Sequence, residues 1–451
     1  MTVDTNLDSG DYQAALLFND ETNNFTVTRA VSAEIVTSVV LQDSQEIVSR
    51  QSLQPSGPAY DFIIDAHPIT NAKFVAFLND ALNRPDELAG QYLYFDTDNG
   101  DVYMNDTQQG ESGAGPDGRE THIFSPAVNT MVTWQGGAYE VNTDPQDFND
   151  HPVTGVSWYG ALKFCNWLTV DQGLFPEDRC YGEGTANQLS TWRPITISPE
   201  VWASRGMNDN ERLQLVADCR GYRLPMDDGA NNTSPGTDEA DDYNEWYKAA
   251  AWNTSRNKNT DFGMGIDEGD QITGAHANFR CSNDPFENID DCMEGGTTPV
   301  GFFDGTNLLS DGTPTIDTNN EFGLYDMSGN VFHWMQDQFE GDGEAVRAIR
   351  GGSYRWTEAQ LITRMRAWKG ADTPSVDLGF RVLRAVPATP GDIDGNLSVD
   401  LLDHNSLAGC LSGPDAVLPV EFCDTFDLAT GLDGDVDLAD FAVFQTSFDG
   451  N

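Results

Sequence analysis

The sequence predicts an α+β fold with little regular secondary structure for its length, preceded by a β-rich segment and followed by a small α-helical module. Three observations carry this. All 10 Trp fall between Trp134 and Trp368. Inside that aromatic region, short stretches of helical periodicity alternate with long, polar, Gly-rich ones. Beyond Pro390 the chain carries 13 acidic residues and no Lys or Arg. A length of 451 residues exceeds what one compact core normally holds. The expected parts are a β-rich segment over 1–59, a main domain over 60–386, a stiff Pro387-Ala-Thr-Pro390 linker and a separate module over 391–451.

In the first part, the run from Phe25 to Val40 is rich in β-branched residues with partial alternation, which reads as strand. It has no core of its own and must pair with something else, either its own main domain or a neighbour. In the main domain, Thr70 caps a helix whose Phe74, Phe77 and Leu78 share one face. A second helix from Ser157 places Trp158, Leu162, Cys165 and Leu168 together.

Composition narrows the class of function. With 73 Asp+Glu against 24 Lys+Arg the net charge is −49, which disfavours nucleic acid and anionic membrane surfaces as partners. No apolar run approaches the ~20 residues that span a bilayer, and the first residues lack the basic start and apolar stretch of a signal peptide. Cys281/Cys292 and Cys410/Cys423 bracket loops of 10 and 12 residues, which disulfides readily close, whereas no C-x-x-C suggests zinc or a redox dithiol. Few Lys, abundant Asp, Gly and Asn, and paired Cys favour an oxidising exterior: an extracellular or cell-surface protein. Seven reduced thiols are the alternative.

The order of several main-domain segments carries more. These are Phe62 to Leu78, His151-Pro-Val-Thr-Gly-Val-Ser-Trp158, Tyr222-Arg-Leu-Pro225 with Glu245-Trp-Tyr-Lys-Ala-Ala250, Phe322 to Trp334, Arg350-Gly-Gly-Ser-Tyr354 and Leu378-Gly-Phe-Arg381. Together they resemble the formylglycine-generating-enzyme, or sulfatase-modifying-factor, family across 60–386. The resemblance implies a variant C-type-lectin-like fold. It also implies two copper-binding cysteines after the Arg-Gly-Gly-Ser segment. Here no cysteine occurs between Arg350 and Arg366, and Trp356 and Leu361 stand where the thiols would. Neither side chain can form a thiolate or bind Cu(I). The family's iron-dependent branch uses a histidine cluster, but the six histidines here are scattered and show no H-x-x-x-H spacing.

The resemblance implies calcium sites as well. Asn278 and Phe279, followed by the acidic loop that includes Asp284 and Asp291, match the first; a solvated acidic loop is the alternative. The second normally relies on a Glu, replaced here by His333, so a tight turn held by Asn330 is at least as good a reading. Tyr354, Arg355, Trp356, Arg364, Arg366 and Trp368, with Arg381, form an aromatic and basic set that could grip a carboxylate or a glycan. The alternative is that internal Asp and Glu neutralise these arginines.

In the tail, Asp392, Asp394, Asn396, Ser398, Asp400 and Asp403 stand at EF-hand-like calcium-loop spacing, with Asp in place of the final Glu. Asp433, Asp435, Asp437 and Asp440, joined by Asp427, repeat part of the pattern. Two loop–helix units of this kind resemble a type I dockerin, which implies calcium as cofactor and a protein partner. The whole reads as a non-catalytic extracellular calcium-binding scaffold, a pseudoenzyme that contacts a partner protein, a glycan or copies of itself, as in a filament. The competing reading is a metal-dependent oxidase or oxygenase using a site the sequence does not reveal.

Overall fold

The computed structural model describes residues 10–20, 25–35, 46–48, 58, 60–105, 121–144, 146–172, 174–203, 209–227, 244–267, 272–287, 295–338, 346–385 and 441. The chain divides into two units, Met1–Arg384 and Ala385–Asn451. In the second unit only Ala385, at the end of a strand, and Phe441, a helical residue, are described.

The described residues of the N-terminal segment form three strands. β1 (Gly10–Asp20) and β2 (Phe25–Ile35) make an antiparallel pair in which Gly10 faces Ile35 and Asp20 faces Phe25. The sequence reading contained β2 but not its partner. β3 (Glu46–Val48) pairs antiparallel with β4 (Phe62–Ile64), the first strand of the main body, with Ile47 opposite Ile63. Part of the segment thus completes a sheet of its own chain.

Helix α1 (Asn71–Asn83) starts where Thr70 accepts a hydrogen bond from the Lys73 amide at 3.3 Å. It buries Phe74, Phe77, Leu78 and Ala81. Helix α2 (Trp158–Asp171) is capped by Ser157, which accepts from the Gly160 amide at 3.1 Å. It is buried on every side from Trp158 to Thr169 rather than along one stripe. The Phe74 ring lies 5.3–6.1 Å from those of Phe77, Phe124, Phe164 and Phe380, so both helices and the C-terminal strands share one aromatic core. Gly160 permits this packing: a Cβ there would sit 2.2 Å from the Ile123 carbonyl oxygen. A third helix, α3 (Glu245–Ala251), is wholly buried.

The largest sheet among the described residues has four strands. β5 (Phe332–Gln338) lies between β6 (Val346–Arg350) and β8 (Leu378–Gly379), and β7 (Arg366–Gly370) pairs with β6. The β5–β6 and β6–β7 pairs are antiparallel and β5–β8 is parallel. β9 (Leu383–Ala385) joins β4 and β3 in a three-stranded sheet with β4 in the middle.

This architecture corrects the expected fold class. The body is a curled half-barrel sheet with flanking helices, not a C-type-lectin-like fold, and an EF-hand fold is not part of it. The physical reason is that strand pairing here is non-local. β4 near the start of the body pairs with β9 at its end, and the intervening chain is split among small separate sheets. Local periodicity carries no information about such pairings.

Candidate functional site

The stretch after Gly351-Gly352 is where the sequence placed two residues in lieu of thiols. Gly352 has φ +74°, and a Cβ there would approach Leu361 Cδ2 to 2.5 Å, so the glycine lets Leu361 press against the turn. Leu361 is fully buried in a cluster with Phe262, Ala277 and Phe279. Ser328 Oγ donates to its carbonyl oxygen at 2.8 Å and accepts from the Gly263 amide at 2.9 Å. Trp356 is 38% exposed and meets Phe332 edge-on at 5.8 Å. Position 361 is therefore packed apolar core, and position 356 offers an aromatic surface. Cys165, the one free cysteine among the described residues, is buried within α2, and burial pushes its thiol well above the ordinary range.

The basic residues of the candidate ligand surface part company. Arg366 Nε donates to Asp227 Oδ2 at 2.7 Å, and Arg350 donates to Asp227 Oδ1 through Nε at 3.1 Å and Nη2 at 2.6 Å. Asn244 Nδ2 donates to the same Oδ1 at 2.9 Å. Burial opposes ionisation of Asp227, but the Arg350 and Arg366 guanidinium groups override it and hold the carboxyl at about 2. Arg364 is ion-paired with Asp261. Arg381 is fully buried and donates to the carbonyls of Asp65 and Tyr325. Tyr354 is buried and donates to the Val376 carbonyl at 3.3 Å. Arg355 is exposed, Trp368 is 49% exposed on β7.

A second buried ion pair joins two of the sequence segments quoted above. Arg223 donates to Glu245 at 2.7 and 2.6 Å, and Glu245 also accepts from Tyr60 Oη at 3.0 Å and the Met226 amide at 2.8 Å. Sequence reasoning named these segments but not the pairing. The signal available was an arginine and a glutamate inside apolar runs, where an uncompensated charge would be prohibitive. Asp227 gave no such signal, because its partners lie 123 and 139 residues away.

Calcium ligation can be tested against the residues present. Asn278 is buried, its Nδ2 donates to the Gly296 carbonyl at 3.0 Å, and its Oδ1 is buried with no hydrogen-bond partner. A buried, unsatisfied carboxamide oxygen is a donor that a hard cation would satisfy, so this residue fits. Phe279 belongs to the apolar cluster beside Leu361 and could offer only its backbone carbonyl. Asp284 does not fit: its carboxylate accepts from Ser282 Oγ and the Phe286 amide at 2.8 Å each, and burial pushes it up to about 6. Asp291 lies outside the described residues.

The His333 turn is held by protein groups. Asn330, at φ +63°, accepts from the Thr298 amide and donates to the Thr298 carbonyl, both at 3.1 Å. Trp246 Nε1 donates to His333 Nδ1 at 3.1 Å, and burial holds the imidazole well below its usual pKa, hence neutral. Among the described residues, no group of three or more His, Cys, Asp and Glu is arranged to hold a metal. The tail candidates Asp392, Asp394, Asn396, Ser398, Asp400, Asp403, Asp427, Asp433, Asp435, Asp437 and Asp440 lie outside the described residues.

Cys180 and Cys219 form a disulfide that the sequence reading did not anticipate. Cys281 is disulfide-bonded to a cysteine outside the described residues, where Cys292, Cys410 and Cys423 all lie. No helix among the described residues is long and apolar enough to cross a membrane.

Comparison with known proteins gives these features a family. The inactive C-alpha-formylglycine-generating enzyme 2 of Bos taurus is 33% identical over 81 residues, covering 16% of this chain and 26% of that protein. The match thus spans about a quarter of the bovine protein's length. Chaperone protein LppX of Paenibacillus barcinonensis is 24% identical over 289 residues, covering 58% of this chain and 84% of that one. Among solved structures, CarF aligns over 72% of this chain and 87% of its own, with 19% identity and a TM-score of 0.40. The family of the sulfatase-modifying factor enzyme 1-like domain matches residues 54–386, nearly the whole body that carries the buried ion pairs and the Leu361 cluster. The chain belongs to the sulfatase-modifying factor enzyme 1-like domain family.

Proposed function

We propose that this member of the family is a non-catalytic extracellular scaffold, stabilised by calcium and contacting other proteins or further copies of itself through its ends. One observation carries the non-catalytic part. Leu361 is sealed among Phe262, Ala277 and Phe279, and Trp356 stands at the other expected thiol position, so no thiolate pair is available there for Cu(I) or for a mixed disulfide. The buried Cys165 cannot substitute, since its thiol is enclosed and strongly disfavours ionisation. The bovine relative's designation as inactive agrees with this reading. The Cys180–Cys219 disulfide supports an oxidising compartment.

Calcium is supported by the unsatisfied Asn278 oxygen and by the oxygen-ligand spacing from Asp392 to Asp403. Contact through the ends is supported by the β1–β2 ribbon, which makes no third-strand pairing among the described residues. The test of the first part is incubation of the purified full chain with copper, oxygen and a cysteine-containing sulfatase-type peptide, alongside elemental analysis. Unchanged peptide with calcium as the bound metal is expected. Formylglycine formation, or stoichiometric copper or iron with turnover, overturns the proposal. Assembly is tested by removing residues 1–59: an unchanged oligomeric state at equal calcium rules out strand-mediated contact.

A further inference from the structure

Lys163, Asn166 and Glu183 form a cluster with no role in the reading above. Lys163 and Asn166 are one helical turn apart on α2, and all three side chains are buried, Lys163 at 1% and Glu183 at 3% exposure. The Glu183 carboxylate bridges the other two. One oxygen accepts from Lys163 Nζ, and the other accepts from Asn166 Nδ2 at 2.8 Å. Asn166 Oδ1 in turn accepts from the Tyr181 amide at 3.2 Å. Lys163 Nζ also donates to the Leu88 carbonyl at 2.7 Å, which fixes it at the end of its stem.

We infer that this triad forms an intramolecular amide between Lys163 Nζ and Asn166 Cγ, with Glu183 as the proton shuttle. The arrangement supplies three of the requirements of such a transfer. The amine must be neutral to attack, and burial favours that form by lowering the Lys163 pKa, with Glu183 positioned to accept its proton. The acyl carbon must be polarised, and the Tyr181 N–H points at the oxygen that gains charge in the tetrahedral intermediate. The leaving amino group must be protonated, and Glu183 already contacts Nδ2.

The step balances without any oxidant. Nζ bonds to Cγ, Glu183 carries a proton from Nζ to Nδ2, and the Cγ–Nδ2 bond breaks. Ammonia leaves with the remaining proton of the original ion pair, as ammonium, and the Glu183 carboxylate is restored. The product staples one turn of the central helix with a neutral amide in place of a buried ammonium.

Mass spectrometry of the reduced, alkylated full chain tests this. The expected result is a deficit of one ammonia, localised by fragmentation to a peptide spanning residues 163–166 that trypsin fails to cut after Lys163. Glu183→Gln keeps the side-chain shape but cannot shuttle the proton, so its product should regain full mass and the tryptic cut. The wild-type measurement decides the matter even if that variant does not fold. Full mass with cleavage after Lys163 leaves an ordinary buried ion pair and overturns the inference. A deficit of ammonia with cleavage after Lys163 intact marks a backbone succinimide at Asn166 and overturns it equally.

Discussion

Replacing Asp227 by Asn should be among the most damaging single substitutions in the body. The carboxylate is fully buried and is the common acceptor for Arg350 and Arg366. Asn preserves volume but removes the charge and turns one acceptor into a donor facing a guanidinium. Breaking a buried ion pair by removing one partner costs about 3–5 kcal/mol, because the remaining charge stays desolvated. Part of that cost can be followed by pH. Asp227 is held at about 2, below its ordinary 3.8, so its contribution is complete above pH 4 and is lost as pH falls through 2. A displacement of that size in a fully buried group corresponds to roughly 2 kcal/mol. The rest of the mutational loss comes from stranding two cations. The assay is chemical denaturation followed by tryptophan fluorescence, since Arg350 lies over the Trp246 ring at 6.0 Å. The wild-type advantage should narrow between pH 4 and pH 2. A loss below about 1 kcal/mol at pH 7, or an advantage independent of pH, would refute the claim that this carboxylate anchors the core.

Asp284 should act in the opposite sense. Burial raises its carboxyl to about 6, so the fold gains stability as pH falls from 6 to 4, and Asp284→Asn should flatten that rise in thermal melts. Disulfide mapping should recover Cys180–Cys219, and Cys165 should resist thiol reagents until the chain is denatured; a fast native reaction at Cys165 would show that α2 opens. Chelation of calcium should lower the melting temperature and expose residues 391–451 to protease, and Asp392→Ala should reproduce both effects. An unchanged melt and cleavage pattern would remove calcium from the account.

What could be read from the sequence was local. Thr70 and Ser157 announced α1 and α2, because a capping hydroxyl and an apolar face are adjacent in the chain. The clustering of all 10 Trp marked out the aromatic body, though not that Phe74 and Phe380 would touch. The ordered motifs led to the right family but to the wrong picture of its fold. What sequence left open for Arg364 and Arg366 was the choice between gripping a ligand and pairing internally, and both pair with Asp. That choice depended on Asp227 and Asp261, which are ordinary acidic residues in a chain with 73 of them. The Cys180–Cys219 link was hidden for a similar reason: two cysteines 39 residues apart carry no spacing signal, unlike pairs that close short loops.

The order β3, β4, β9 also fixes how the body would bear tension. Glu46 lies level with Ile64, at one end of the central strand. The hydrogen bonds from Asp65 N to the Val382 carbonyl and from Ile69 N to the Phe380 carbonyl run in opposite chain senses, so β9 is antiparallel to β4 and its exit lies level with Phe62, at the other end. A pull entering through β3 and leaving through β9 therefore slides the outer strands in opposite directions and loads their hydrogen bonds together. Without β3, the pull would enter at Phe62 beside the exit and peel β4 from β9 one bond at a time. The short strand at Glu46–Val48 converts a zipper into a shear joint.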